Sequence, residues 1–425
     1  MNASIDSLSS TRARFGAWDR FLRTRLLASV GQLRGGRLEI HDPLGQVTAG
    51  DERSDTIIRL HINDAGFYHA VATRGSVGAG ESYMDGAWRC DDLVGLIRLL
   101  VRNRDLLDRM ETGMARFGGM AMRGVHALRA NTRAGARRNI AAHYDLGNDF
   151  FRLFLSEDMM YSSALWAHDA DTLEAASERK LARIAEKLQL GPADHVIEIG
   201  TGWGGFALHA AGRYGCRVTT TTISREQYEL AKARIAEAGL QDRVDVLLSD
   251  YRDLRGQYDK LVSIEMIEAI GHAQQREYFG QIGKLLKPDG RALIQAITIE
   301  DHRYQQALNS VDFIKRHVFP GCFIPSISSM LEEKTKSTDL ALVHLEDFGS
   351  SYAKTLQAWR ERFLSRLDEV RAQGYDERLI RMWEFYLAYC EGGFRERSIG
   401  VAHLLFAKPD CRDADYLPGL HRLEA

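Results

Sequence analysis

The chain has 425 residues and a formal net charge of −2, so it exceeds one ordinary domain, predicts two with real cores, and carries no global attraction for a polyanion. Its five cysteines (Cys90, Cys216, Cys322, Cys390, Cys411) are scattered, which excludes a paired-cysteine metal or redox centre and predicts reduced, mostly buried thiols with no bound metal. The N-terminus lacks the apolar core of a signal peptide, and no stretch reaches about eighteen apolar residues, so a cytoplasmic chain that touches a membrane without crossing it is expected.

In chain order, residues 12–30 alternate arginines with Phe15, Trp18, Phe21, Leu22, Leu26 and Leu27. This pattern predicts a helix with an aromatic-apolar face and a basic face, docked on its own protein or lying on a membrane. Residues 12–37 hold seven arginines (Arg12, Arg14, Arg20, Arg23, Arg25, Arg34, Arg37) against Asp19 alone, and residues 116–138 hold six (Arg116, Arg123, Arg129, Arg133, Arg137, Arg138) against no acid. A solvated basic face and attraction to an anionic lipid surface both remain open from charge alone. Short strands are predicted at 38–41, 56–62 and 67–71, separated by Asp-Pro, Gly and Asn-Asp turn signals, and helical periodicity returns by Asp92–Asp108. The expected organisation is a small α+β domain over 1–112, a basic Gly/Ala/Arg-rich connector over 113–142, and a larger domain over 143–425.

In the larger domain the signals alternate: helix 173–189, strand 195–199, helix 204–214, strand 216–221, helix 225–238, strands 243–248 and 260–264, helix 274–287 and strand 291–297. Their order is that of a doubly wound, mostly parallel α/β sheet. Helical stretches from 326 and the apolar run Val401-Ala402-His403-Leu404-Leu405-Phe406-Ala407 suggest further helices and late strands that complete it.

Val196-Ile197-Glu198-Ile199-Gly200-Thr201-Gly202-Trp203-Gly204-Gly205 reads as a buried strand ending in a glycine turn that opens a helix. Glycines at 200, 202 and 204 permit positive φ and close approach of a ligand to the backbone. Bulky Trp203, the lack of a Lys-Ser/Thr pair and the carboxylate of Glu198 favour a cationic nucleotide-methionine ligand over a phosphate; a dinucleotide site or a purely structural turn are the alternatives. The second strand ends near Thr222 and Gln227, where the ribose-binding acid usually stands; their hydroxyl and amide can substitute, with Glu226 the acidic option for a longer turn. Asp250 and Tyr251, after the third strand, can meet an adenine amino group and ring. After the fourth strand come Glu265 and Glu268, three residues apart; a capping or structural role is expected for Glu265 and the functional role for Glu268.

With these stand His143-Tyr144-Asp145-Leu146-Gly147-Asn148, Tyr161-Ser162-Ser163-Ala164, Thr222-Ile223-Ser224, Asp250-Tyr251-Arg252-Asp253, Cys390-Glu391-Gly392-Gly393-Phe394-Arg395 and, near the start, Gly80-Glu81-Ser82-Tyr83-Met84-Asp85-Gly86. Together they resemble the cyclopropane-fatty-acyl-phospholipid and mycolic acid cyclopropane synthase family of S-adenosylmethionine-dependent methyltransferases, over most of the chain. The resemblance implies a class I (Rossmann-like) methyltransferase domain and methyl transfer to the cis double bond of a phospholipid acyl chain, closing a cyclopropane. It places cofactor contacts on Tyr161, Ser162, Gly200, Gly202, Thr222 and Gln227, with Asp250-Tyr251 near adenine, the active carboxylate on Glu268, a pocket tyrosine on Tyr352 and the late cysteine on Cys390.

Two positions depart from the family's familiar pattern: Ser163 where many members have Cys, and Gln295 where they have His. Both line the pocket that holds a bicarbonate ion in cyclopropane synthases, so bicarbonate is an open question here. A Gln donates a hydrogen bond but does not titrate usefully. With a missing or misplaced base, the cation formed by methylation can undergo a hydride shift and lose a proton to give a methylene-branched chain, which a partner reductase can saturate. Ring formation is the first expectation and branching the alternative, ahead of a non-catalytic lipid-binding protein. The expected surroundings are an anionic membrane at its inner face, no nucleic acid (no Asn-Pro-Pro-Tyr-type motif), and an open possibility of a homodimer.

Overall fold

A computed structural model describes residues 15–110 and 146–412. The chain divides into two compact units, Met1–Met120 with Asp376–Phe385, and Ala121–Tyr375 with Tyr386–Ala425. The boundaries expected at 112 and 142, the basic patch over 116–138, and His143, Tyr144 and Asp145 lie outside the described residues, as do Arg12 and Arg14. The grouping of residues 376–385 with the first unit has no counterpart in the expected organisation.

In the first unit, strands β1 (Arg37–Asp42), β2 (Gly45–Gly50), β3 (Ile57–Ile62) and β4 (Trp88–Cys90) form a sheet in the order β2-β1-β3-β4, with β1 and β3 parallel. Alternation in β3 buries Ile58, Leu60 and Ile62. Helix α1 (Ala17–Val30) buries Leu22 and Val30. Its arginines and aromatics do not separate into two faces: Arg23 pairs with Asp42 at 2.6 Å, while Trp18 and Phe21 stack on each other at 5.3 Å and are 53% and 51% exposed, beside exposed Arg20 and Arg25.

The strand expected at 67–71 is instead the start of helix α2 (Gly66–Met84). Asn63-Asp64 is a helix entry rather than a hairpin turn: Asp64 Oδ1 accepts from Gly66 N at 2.7 Å, and Asp64 O accepts from Phe67 N. The aromatic residues that imitate a strand, Phe67 and Tyr68, are instead buried in the first turns of this helix. Helix α3 (Leu93–Arg102), capped by Asp92 accepting from Gly95 N, and a short helix Arg104–Met110 follow as expected. The expected signals missed β2, none of whose residues is fully buried, and the three-residue β4.

The second unit is built on β5 (His195–Ile199), β6 (Arg217–Thr222), β7 (Val244–Leu248), β8 (Tyr258–Ile264), β9 (Leu286–Ile299), β10 (Ala341–Asp347) and β11 (Ile399–Ala407), in the spatial order β7-β6-β5-β8-β9-β11-β10. The first five are parallel; β11 runs antiparallel to β9, and β10 to β11. The helices used below are α4 (Leu173–Leu188), α5 (Gly205–Tyr214), α6 (Arg225–Glu237), α7 (Gln275–Leu285), α8 (Gly349–Ser365) and α9 (Glu377–Arg395). Neighbouring strand residues enter opposite cores: Ile197, Leu261, Ile294 and Leu404 one, Val196, Val262, Leu293 and Leu405 the other. A sheet apolar on both faces must be covered on both, which is the doubly wound arrangement expected. Strand order reverses about β5, so the loops after β5, β6 and β8 meet at one edge, the place such sheets bind ligands. Among the described residues no helix is long and apolar enough to cross a membrane.

Candidate active site

The glycine turn leaves β5 with Gly200, Gly202 and Gly204 at φ of 98°, 51° and 86°. These are left-handed conformations that L side chains adopt at a cost. A Cβ at Gly200 would lie 3.0 Å from Met266 Cγ, whereas one at Gly202 would meet no protein atom within 4 Å. Gly202 therefore needs its glycine for backbone shape and for whatever approaches it. Trp203 is buried, donating from Nε1 to Asn148 Oδ1 at 2.7 Å and packing on Phe151 at 5.0 Å. Thr201 Oγ1 is buried without a hydrogen-bond partner among the described residues, a polar atom that a ligand in this turn could satisfy.

Glu198 accepts from Thr220 Oγ1 at 2.6 Å across β5 and β6; burial raises its carboxyl to about 8 against the opposing pull of Thr220 and Lys180. Thr222 and Gln227 are together but spend part of their capacity on each other. Thr222 Oγ1 donates to Gln227 Oε1 at 2.8 Å, which leaves the Gln227 amide nitrogen as the remaining donor. Ser224 caps α6 by accepting from Gln227 N, and its hydroxyl donates to exposed Glu226. Asp250 is held by the Arg252 guanidinium through both oxygens, at 2.8 and 2.7 Å. An adenine amino group would have to share those oxygens. The Tyr251 ring lies under the same guanidinium and edge-on to Tyr278.

Tyr161 sits in an aromatic enclosure with Phe151 and Trp359, each at 5.3 Å, and Phe319 at 6.4 Å, its hydroxyl 2.9 Å from that of Tyr386. Such faces stabilise a cation, and their walls exclude water. Ser162 accepts from Lys180 Nζ at 2.9 Å. Lys180 is wholly buried, near Asp158, Glu265 and Glu198, and desolvation lowers it to about 8.

The two glutamates are placed differently from the capping and pocket positions expected of them. Glu265 does not cap the following turn: its Oε1 accepts from Ser163 N at 2.9 Å and Gln295 Nε2 at 2.7 Å, and its Oε2 accepts from the Tyr352 hydroxyl at 2.7 Å. It thus gathers three of the predicted residues. Ser163 serves through its backbone, its hydroxyl donating to Ala164 O. Glu268 stands behind, Oε1 accepting from Ile297 N at 2.6 Å and Oε2 without a partner among the described residues. Burial first, then the charge of Glu265, raises Glu268 to about 8, so it holds a proton at neutral pH; burial also raises Glu265, but its three donors and Lys180 oppose that shift and favour its charged form.

Sequence reasoning also missed His403. Strand register sets Gln295 opposite His403 and His403 opposite Glu346. His403 Nδ1 accepts from Lys187 Nζ at 3.2 Å, so Nε2 carries the proton and donates to Gln295 Oε1 at 2.9 Å. That bond fixes the Gln295 amide with its NH2 toward Glu265. Lys187 in turn pairs with Glu346 at 2.6 Å. The legible signal was on α4, where Lys180 and Lys187 fall on the apolar stripe with Ala176, Leu181, Ile184 and Leu188. Cys390 is close enough to Tyr352 and Tyr386 to influence both phenols. Burial raises its thiol well above the ordinary range, so it remains a neutral sulfhydryl and not a base.

A bicarbonate ion does not fit these residues. The donors it would use, from Ser163, Gln295 and Tyr352, already serve the Glu265 carboxylate, and two anions would repel at one set of donors. Among the described residues no cluster of His, Cys, Asp or Glu is arranged to hold a metal.

The sheet order, the glycine turn after the first parallel strand and the hydroxyl-amide pair after the second define a class I S-adenosylmethionine-dependent methyltransferase. The family model for mycolic acid cyclopropane synthetase matches residues 131–404, more than half the chain, and the chain belongs to that family. A tuberculostearic acid methyltransferase of Mycobacterium tuberculosis is 38% identical over 371 residues, 83% of each chain. The cyclopropane-fatty-acyl-phospholipid synthase of Escherichia coli is 37% identical over 351 residues, 82% of this chain and 87% of that one. A solved cyclopropane synthase of Mycobacterium tuberculosis matches with a TM-score of 0.60 and 30% identity, covering 64% of this chain and 98% of its own. S-adenosylmethionine is the co-substrate, and it supplies an electrophilic methyl on a sulfonium sulfur.

Proposed function

We propose that this enzyme methylates the cis double bond of an unsaturated acyl chain on a membrane phospholipid and releases a methylene-branched chain, not the cyclopropane that is the family's first expectation. The observation that carries this reading is Gln295, a non-titrating amide locked between Glu265 and a neutral His403. The alkene's π electrons form a bond to the sulfonium methyl as its bond to sulfur breaks, leaving a secondary cation on the neighbouring carbon. Ring closure requires a proton to leave the new methyl at once. Here, among the described residues, the acceptor is the Glu265 carboxylate, raised by burial but held by three donors, and the position facing it carries the non-titrating Gln295 amide in place of an imidazole that could relay the proton onward. A hydride then moves from the methyl-bearing carbon to the cationic one, giving a tertiary cation, and loss of a methyl proton leaves an exocyclic methylene. Saturation to a methyl branch needs hydride from a separate reductase. The similarity to a tuberculostearic acid methyltransferase supports the branched reading, and the similarity to a cyclopropane synthase supports the phospholipid-borne chain.

The cofactor would lie along the glycine turn, with Gln227 toward the ribose and the Tyr161 enclosure around the sulfonium. Access to lipid fits α1, whose exposed Trp18 and Phe21 stand beside Arg20 and Arg25, an arrangement suited to the headgroup region of an anionic bilayer. Incubation with S-adenosylmethionine and vesicles of oleoyl phosphatidylglycerol, followed by fragmentation mass spectrometry, tests the product. Cleavage flanking a methylene branch is expected; a cyclopropane fragmentation pattern would contradict the proposal.

A further inference from the structure

Among the described residues Glu265 is the one acid with a positive φ. At the end of β8 it adopts φ 48°, a left-handed conformation that strains a non-glycine residue, while its N–H continues the β8-β9 ladder by donating to Gln295 O at 2.8 Å. Strain at a residue whose side chain meets Ser163, Gln295 and Tyr352, each from a different segment, marks a side chain held in place by its surroundings. The residue is half-buried rather than sealed in the core. Each oxygen retains lone-pair capacity beyond the bonds it accepts. Three ionisable groups that act on it among the described residues are neutral or committed: the Tyr352 hydroxyl is held protonated by burial beside this carboxylate, Glu268 keeps its proton, and Lys180 is bonded to Ser162.

We infer that Glu265 is the enzyme's resident base, a side-chain carboxylate that takes the proton from the transferred methyl carbon and makes the reaction independent of any dissolved anion. The step is balanced: the C–H bond breaks toward Glu265, its electron pair forms the new carbon–carbon bond, and the proton stays on the carboxyl until product leaves and water returns. The inference rests on the methyl-transfer reading but not on the branched product, because the same carbon loses its proton in ring closure.

The test uses the full-length enzyme with oleoyl phosphatidylglycerol vesicles in bicarbonate-free buffer, with and without added bicarbonate. Wild-type turnover should be the same in both. Glu265→Gln should lose at least about 100-fold in turnover, the scale of a lost electrostatic contact to developing charge, while calorimetry shows S-adenosylhomocysteine still bound. Glu265→Gly suits the left-handed backbone and empties the donor set; it should be inactive in bicarbonate-free buffer and recover when bicarbonate is added. A structural role would lower cofactor binding and thermal midpoint in both variants without response to bicarbonate. Bicarbonate dependence in the wild type, near-normal turnover in Glu265→Gln, or a folded, cofactor-binding Glu265→Gly that bicarbonate does not restore would overturn the assignment. A ring product with the same Glu265 dependence would overturn the branched reading and leave the base in place.

Discussion

Glu268 should reveal its proton in the pH dependence of stability. Its folded value of about 8 lies above the 4.5 of an unperturbed glutamate, so the native state holds the proton longer than the unfolded chain. Its contribution is fully present below the unfolded value and is lost as pH rises through about 8. Glutamine cannot ionise, so Glu268→Gln escapes that loss. The thermal midpoint of the variant relative to wild type should rise steadily from roughly pH 5 to pH 9. Glu198, raised to about 8 by its own burial, keeps a similar slope in both proteins. A midpoint difference that does not change with pH would show that Glu268 is already ionised in the native state. At this scale the sequence was readable wherever function is local. The three glycines, Thr222 with Gln227, and the candidates Ser163, Gln295 and Tyr352 were all named, and the structure brings the last three together. The contacts of Glu265 were not legible, because its donors lie 102, 30 and 87 residues away along the chain.

Among the elements, β9, β11, β10 and α4 act together. Register alone sets Gln295, His403 and Glu346 in a row across three strands, and Lys187 of α4 closes the row from above His403. Replacing His403 by Phe would keep most of the buried volume but leave the Gln295 carbonyl and the Lys187 ammonium short of a partner. The expected cost is about 1–3 kcal/mol for the unsatisfied groups, read as a lower thermal midpoint. Turnover should fall as well, because the Gln295 amide loses the bond that orients it, while affinity for S-adenosylhomocysteine stays near normal. Unchanged turnover with the fold intact would mean that Gln295 is oriented without His403. Alternation along β5, β8 and β9 and the stripe on α4 announced these elements, since burial on two faces imposes a period on the sequence. His403 sits in a run that is otherwise apolar, where nothing local separates a structural histidine from one that positions a neighbour. The start of α2 was mistaken for a strand because Phe67, Tyr68 and Val71 carry strand propensity, and the deciding hydrogen bond comes from Asp64 outside the run.

For the molecule as a whole, near-neutral net charge hides a local design, with α1 presenting stacked Trp18 and Phe21 beside arginines. Exposed aromatics of this size normally mark a contact surface. Full-length protein should float with anionic vesicles in preference to neutral ones, and the Trp18→Ser/Phe21→Ser variant should lose most of that binding while its thermal midpoint holds, because neither ring belongs to the buried core. Rising salt should weaken what remains, since each basic side chain contributes about 1 kcal/mol near an anionic surface and is screened. Equal flotation of the variant would place the lipid contact elsewhere. The most direct measurement of the central claim follows a deuterium label on both olefinic carbons of the oleoyl chain. Methyl transfer followed by hydride shift moves one deuterium to the neighbouring carbon and leaves an exocyclic methylene. Both labels retained at their original carbons, in a cyclopropane, would contradict the account.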